Sequence, residues 1–230
     1  MLHVVFWMGL TREDLENDAL RKQYERLRDH VPLVPEDAFH ASLDATLAGW
    51  NPEQDLWVFA YGSLTWNPLI DFAEHRAARL HGFHRRFCLR SRGARGTVDN
   101  PGLVLALDFG GCCNGVAFRI EAGKARHEMK MIWRREMVLG SYAPRWVDVK
   151  NGDGTIRALA FVVNHAHPHY AGDLPDDAIV QTLATACGKF GSCADYLLQT
   201  VASLEGHGVH DAHLAALKRR VLAACARLRR

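Results

Sequence analysis

The residue most out of place in this chain is a glutamate. Between Lys124 and Leu139 the apolar side chains recur with the ~100° step of a helix. Ala125, Met129, Ile132, Trp133 and Gly140 fall on one stripe, and Glu136 lies in the middle of it. His127, Lys130, Arg134 and Arg135 lie on the other side or the flanks. A carboxylate withdrawn from water is costly unless it is paired or protonated. Two chemistries are open to it. Glu136 is either one half of a structural ion pair, for instance with an arginine of the 85–95 strand, or a general acid/base whose proton affinity burial has raised.

A second feature is Tyr61-Gly62-Ser63-Leu64, which ends the apolar run that starts at Leu56. A buried strand that stops at Gly-Ser exposes backbone N–H groups at its tip, and glycine lets a ligand approach them. Such amides hold a carboxylate or an oxyanion. An ordinary strand-to-turn exit has the same appearance, and the run alone does not separate the two.

Other constellations read as structural. His165, His167 and His169 alternate as metal ligands do on a strand end. Pro168 interrupts them and no acidic or cysteine partner completes a set, so scattered loop histidines are expected. His207, His210 and His213 are spaced for one helix face, but Gly206 and Gly208 argue against a continuous helix, and surface histidines are expected there. In the run Arg85, Arg86, Arg90, Arg92 and Arg95, alternation puts most of the side chains on one strand face and suggests a solvated surface, with Arg95 set apart.

These residues must be positioned by a core, and the composition provides one. The chain has 230 residues, 48% hydrophobic and 23% charged, enough for one domain or slightly more. A formal charge of +2 is too balanced to mark a nucleic-acid partner. No segment reaches the ~20 apolar residues that span a bilayer. Met1–Leu10 is apolar but lacks a basic start and a small-residue cleavage site, so it is expected to belong to the mature chain of a cytoplasmic protein. The six cysteines form no CxxC pair and are expected to be reduced.

Residues 11–30 predict one polar helix capped by Thr11 and ended by Pro32 and Pro35. Residues 1–50 read as a helical extension of a main domain at 51–230. Strands are expected at 56–61, 80–90, 102–109, 112–120, 146–150 and 155–163, with Gly110-Gly111 as a hairpin turn. Helices are expected at 124–139, 176–189 and 193–204, and from an Asp211 cap to the C-terminus. Strands first and helices late predict an α+β fold, a small closed sheet with helices outside.

At the two anomalous features the chain resembles the ChaC-type γ-glutamylcyclotransferases, closest to the bacterial branch. Val58-Phe59-Ala60-Tyr61-Gly62-Ser63-Leu64 with Trp66-Asn67-Pro68 resembles the family's opening motif. Arg95-Gly96-Thr97, Pro101-Gly102, Gly115–Arg119, Trp133–Met137, Tyr142, Pro144 and Asp195–Leu197 follow in the family's order. The resemblance covers roughly residues 56–228. It implies a small mixed β-barrel-like sheet with surrounding helices. It also implies an enzyme that acts on glutathione without a cofactor or metal and releases 5-oxoproline and cysteinylglycine. The family's catalytic glutamate matches Glu136 and its substrate loop matches Ala60 and Tyr61 through Leu64. Arg95, Tyr142 and Tyr196 match residues near its pocket. Cys112-Cys113-Asn114 before Gly115 departs from the family pattern, and the first 50 residues lie outside the shared core. Other γ-glutamyl dipeptides or amines as substrates, or a non-catalytic γ-glutamyl-binding regulator, are the alternatives.

Overall fold

A computed structural model describes residues 9–228, so the reading of Met1–Leu10 falls outside the described residues except at Gly9 and Leu10. The fold is α+β. Its centre is a closed barrel of five strands: β1 (Leu56–Ala60), β2 (Glu74–Ser91), β3 (Gly102–Ile120), β4 (Tyr142–Asn151) and β5 (Gly154–Val163). The order around the barrel is β1-β3-β2-β4-β5, and β5 pairs in parallel with β1 through Trp57↔Ala158 and Val58↔Leu159. The other neighbours along this order are antiparallel, so the barrel is mixed.

The expected hairpin at Gly110-Gly111 is not there: residues 102–120 form one long strand. Gly110 and Gly111 have φ of +95° and +70°, and Gly82 opposite them on β2 has +82°. These left-handed glycines bend a continuous two-stranded ribbon and shift its register between His81 and Phe83. The bend gives the long strands the curvature that a closed barrel needs. β2 also starts six residues before the expected Leu80, because Glu74 to Arg79 pair with Arg119 to Asn114.

Apolar side chains fill two layers. One lies inside the barrel and under α5 (Asp176–Thr185), α6 (Cys193–Gly206) and α7 (Ala212–Leu228). The other lies between the barrel wall, α4 (Ala122–Glu136), α3 (Glu36–Leu47) and the N-terminal segment. The stripe on α4 faces inward as expected: Ala125, Met129, Ile132 and Trp133 are all at most 1% exposed. The helix ends at Glu136, three residues early, and Gly140 (φ +71°) turns the chain into β4. The expected helix at 176–189 stops at Thr185, and a two-residue ladder, β6 (Cys187–Gly188) with β7 (Gly191–Ser192), links it to α6. Asp211 caps α7 as expected, with its carboxylate accepting from the Leu214 amide at 3.0 Å.

The single polar helix expected at 11–30 is two short ones, α1 (Arg12–Glu16) and α2 (Ala19–Glu25). Thr11 and Asp14 form a capping box at the start. Asn17-Asp18 breaks the helix, with Asp18 left-handed at φ 53°. Asn and Asp tolerate that conformation, and the break lets Leu15, Leu20 and Tyr24 all reach the interior. Arg90 is exposed, as a solvated face requires, but Arg85 departs from that reading. Its side chain is 3% exposed and pairs with Asp211 at 2.9 Å, and it donates to the Tyr61 carbonyl at 2.7 Å. The arginine fork serves here as a strut across the barrel mouth.

A bidentate pair pins the N-terminal segment to α4. Arg12 Nη1 and Nη2 each donate at 2.8 Å to the Glu128 carboxylate, which is 3% exposed and also accepts from the Asp71 amide. Arg12→Ala strands that carboxylate in the interior and is expected to lower unfolding free energy by about 2–3 kcal/mol, because Arg12 itself keeps some water. Glu128→Leu leaves only the partly hydrated guanidinium and should cost less. Urea denaturation of both variants reads the difference; equal or reversed costs would show that the buried carboxylate does not dominate the pair.

Candidate active site

The end of β1 and the end of α4 meet at the mouth of the barrel. Directly after β1, Ser63–Thr65 turn as one 3₁₀ unit closed by Thr65 N–H and Oγ1 on the Gly62 carbonyl at 2.9 and 2.8 Å. Any side chain at position 62 would meet the Tyr196 hydroxyl at 2.9 Å, so the glycine is fixed by close approach. Tyr61 points its hydroxyl to the Phe161 carbonyl at 2.6 Å, and Tyr142 points its own to the Leu105 carbonyl at 3.0 Å.

Glu136 lies beside this turn with its side chain 12% exposed. Its one charged partner among the described residues is the adjacent Arg135, at 3.0 Å, and not an arginine of the 85–95 strand. Arg135 also donates to the Asn67 carbonyl, which ties the helix end to the turn after β1. Burial raises the Glu136 carboxyl above its ordinary value, and the charge and hydrogen bond of Arg135 only partly oppose that. The C-terminal end of a helix dipole acts in the same direction. Four phenols are held up by their own burial and, next, by the Glu136 charge or a neighbouring phenol: Tyr24 and Tyr196 to about 12, Tyr61 and Tyr142 well above their usual value.

Two recesses share Ser63, Glu136, Tyr142 and Tyr196. The inner one is bounded by Tyr61, Gly62, Leu64, Leu105 and Phe161. The outer one, about 150 Å³, is bounded by residues 89–95, Trp66, Asn67, Arg135, His169 and, unexpectedly, by Leu10, Leu20 and Tyr24 of the N-terminal segment. Glu136 is the sole carboxylate lining either recess among the described residues.

Of the residues expected at a site, Tyr61, Gly62, Ser63, Leu64, Glu136, Tyr142 and Tyr196 come together in the inner recess. Arg95 lines the outer one; its guanidinium lies 5.5 Å from the ring centroids of both Trp66 and Tyr196. The Arg95 loop is held by Ser91 Oγ, which accepts from the Arg95 amide at 2.9 Å, and by Cys193 Sγ on the Arg95 carbonyl at 3.1 Å. Ala60 lines neither recess and packs in the core. The sequence does not mark Arg135, Tyr24 or His169 as site residues, and it assigns residues 1–50 no role. Adjacency to Glu136 was the available signal for Arg135; a lone tyrosine in a polar segment was the signal for Tyr24. His167 and His169 lie in a loop as expected, yet both are buried, at 9% and 2% exposure. Among the described residues no group of three or more His, Cys, Asp or Glu is disposed to hold a metal, and all six cysteines are free.

A family model described as ChaC-like protein matches residues 56–224. The chain is 37% identical over 203 residues to the glutathione-specific gamma-glutamylcyclotransferase of Escherichia coli (strain K12), covering 88% of this chain and 87% of that one. That coverage is more than residues 56–230 can supply, so part of the N-terminal segment is shared. The chain is 33% identical to human glutathione-specific gamma-glutamylcyclotransferase 1 over 71% of its length and 77% of the relative's. Its fold is similar to the crystal structure of a yeast gamma-glutamyl cyclotransferase specific to glutathione, with a TM-score of 0.68 at 21% identity, covering 74% of this chain and 96% of that one.

The raised Glu136 carboxyl makes a prediction about stability. Between its unfolded value, ~4.3, and its higher folded value, the folded state binds more protons than the unfolded one, so stability is lost as pH rises through that window. Glu136→Gln mimics the protonated group. Its thermal midpoint should match the wild type near pH 4 and exceed it by pH 8. Melting curves across that range test this, and a variant less stable than wild type at pH 8 would mean that pairing to Arg135 outweighs burial.

Proposed function

The chain belongs to the ChaC-like family, and on that premise we propose that it is a glutathione-specific gamma-glutamylcyclotransferase. The reaction it catalyses is an intramolecular acyl transfer. The α-amine of the γ-glutamyl group attacks its own γ-carbonyl carbon and forms a C–N bond that closes a five-membered lactam. The bond from that carbon to the cysteine nitrogen breaks. The products are 5-oxoproline and cysteinylglycine, and no water is consumed.

A tethered nucleophile removes the need for a serine or cysteine attack group. What remains for the protein is orientation, proton transfer and charge stabilisation. The observation that carries this reading is Glu136, a buried carboxyl of raised proton affinity at the junction of two recesses. A free α-amine titrates near ~8 and is largely protonated at neutral pH. Glu136 takes a proton from it during attack and returns one to the departing amine. A carboxyl with its value raised towards the working pH serves both steps.

The inner recess takes the γ-glutamyl group. The Gly62, Ser63 and Leu64 amides hold its α-carboxylate, and the Ser63 hydroxyl adds a donor. Ala60 and Tyr61 support that turn from behind: Tyr61 is anchored at both ends, to Phe161 and to Arg85. Tyr142 and Tyr196 wall the reacting centre, with Tyr196 packed against Gly62. Arg95, stacked on Trp66 and Tyr196, supplies positive charge to the carboxylates of the bound substrate. The arginines here serve a small anionic substrate instead of nucleic acid.

In this reading residues 51–230 form the catalytic domain and 1–50 a helical extension that closes the outer recess. No helix among the described residues is long and apolar enough to cross a membrane, and a cytoplasmic site fits the free thiols and the substrate.

Purified protein incubated with glutathione should release 5-oxoproline and cysteinylglycine in equal amounts, measured by chromatography. Glu136→Gln should keep the fold and bind glutathione yet lose at least ~100-fold in turnover. Near-normal turnover in that variant removes Glu136 from the mechanism. Product from γ-glutamyl dipeptides or amines but not from glutathione would shift the substrate assignment, and no product from any would favour a γ-glutamyl-binding regulator.

A further inference from the structure

The two recesses divide the substrate. If the reacting amide lies beside Glu136 and the γ-glutamyl end lies against the Gly62–Leu64 turn, the leaving peptide extends into the outer recess. That recess carries an excess of positive charge: Arg90, Arg92, Arg95 and Arg135 line it against the one carboxylate, Glu136. Arg135 is engaged by Glu136 and Asn67, and Arg95 is stacked on two rings. Arg92 makes no ion pair and no side-chain hydrogen bond among the described residues, although its Nε is fully buried.

His169 is the second unsatisfied group. It is 2% exposed, lines the same recess, and neither ring nitrogen has a hydrogen-bond partner. Its backbone is held firmly: its carbonyl accepts from the Arg90 amide at 2.8 Å and its amide donates to His167 Nδ1 at 3.1 Å. Burial, then the His167, Arg92 and Arg90 charges, push the ring down to about 4; the His30 carbonyl opposes this without reaching hydrogen-bond geometry. The imidazole is therefore neutral and has one N–H to give. A buried polar group without a partner is costly, and a ligand that supplies the partner recovers that cost.

We propose that Arg92 and His169 form the subsite for the terminal carboxylate of the leaving peptide, and so set a preference for γ-glutamyl peptides over γ-glutamyl amines. The assignment rests on the cyclotransferase reading of the site. Both residues bind and position the leaving group; neither takes part in proton transfer.

The test compares glutathione with its C-terminal amide, which keeps every atom of the reacting centre and removes the terminal charge. Wild type should prefer glutathione by about 10-fold or more in kcat/KM, as expected for a charge-assisted hydrogen bond, and the difference should lie in KM. Arg92→Gln should bring the two substrates within about threefold of each other, Arg92→Lys should keep most of the preference, and His169→Phe should reduce it. Calorimetric binding of both compounds to Glu136→Gln reads the same preference without turnover, and thermal melts check that each variant is folded. If 5-oxoproline forms equally well from both compounds, or Arg92→Gln leaves the preference intact, the subsite is wrong and the cyclotransferase reading stands. A binding preference without any 5-oxoproline supports the subsite and overturns the reaction. No preference in either measurement overturns the subsite.

Discussion

The structure depends on keeping one carboxylate dry at the end of a helix. Glu136 is walled on the barrel side by Tyr61, Tyr142 and Tyr196, and Leu10, Leu20 and Tyr24 of the N-terminal segment line the outer recess beside it. Among the described residues its compensating cation is Arg135, which is shared with the Asn67 carbonyl. A second cation would drive its proton affinity down towards an ordinary ionised carboxylate, while complete absence of one would leave an unpaired charge whenever the group ionises. The arrangement lies between these limits, as the acid–base role proposed for Glu136 requires.

That constraint explains the surrounding architecture. Arg135 can hold Glu136 only because α4 ends where the chain leaves β1, and the two meet because β1 closes the barrel between β3 and β5. The N-terminal segment is tied to the same corner by several contacts, among them Arg12 to Glu128, Arg134 to the Leu15 and Glu16 carbonyls and to Asp18, Asn67 to the Leu10 carbonyl, and Gln23 to the Gly93 carbonyl. Removing this cover would hydrate the recess, lower the proton affinity of Glu136 and weaken every electrostatic contact within it.

Much of the barrel and the buried carboxylate between the two recesses were legible in the sequence because they follow simple periods. Alternation and apolar runs marked the strand interiors, and the helical step exposed Glu136 as the misfit. Features set by tertiary contacts were not legible. Gly110-Gly111 reads equally as a hairpin turn or a bend in one long strand; only the position of Gly82 across the ribbon decides it. Arg85 reads as one more residue of a basic face until the Asp211 cap of α7 arrives from more than a hundred residues away. Tyr24 and His169 carry no local pattern at all. They belong to the site because separate segments fold over it.

A small set of titratable groups suffices here for a chemical reason. A substrate that carries its own nucleophile leaves the protein little covalent work, so the site can consist of backbone amides, phenols held neutral by burial, and one carboxyl. The phenols matter to this economy. With Tyr24 and Tyr196 pushed up to about 12 and Tyr61 and Tyr142 held well above their usual value, all four remain protonated hydrogen-bond donors at physiological pH. In the proposed reaction the mobile proton is thereby confined to the carboxyl and the substrate. A site with a second group of matched affinity would divide that proton between two positions, and attack and departure would no longer be served by the same side chain.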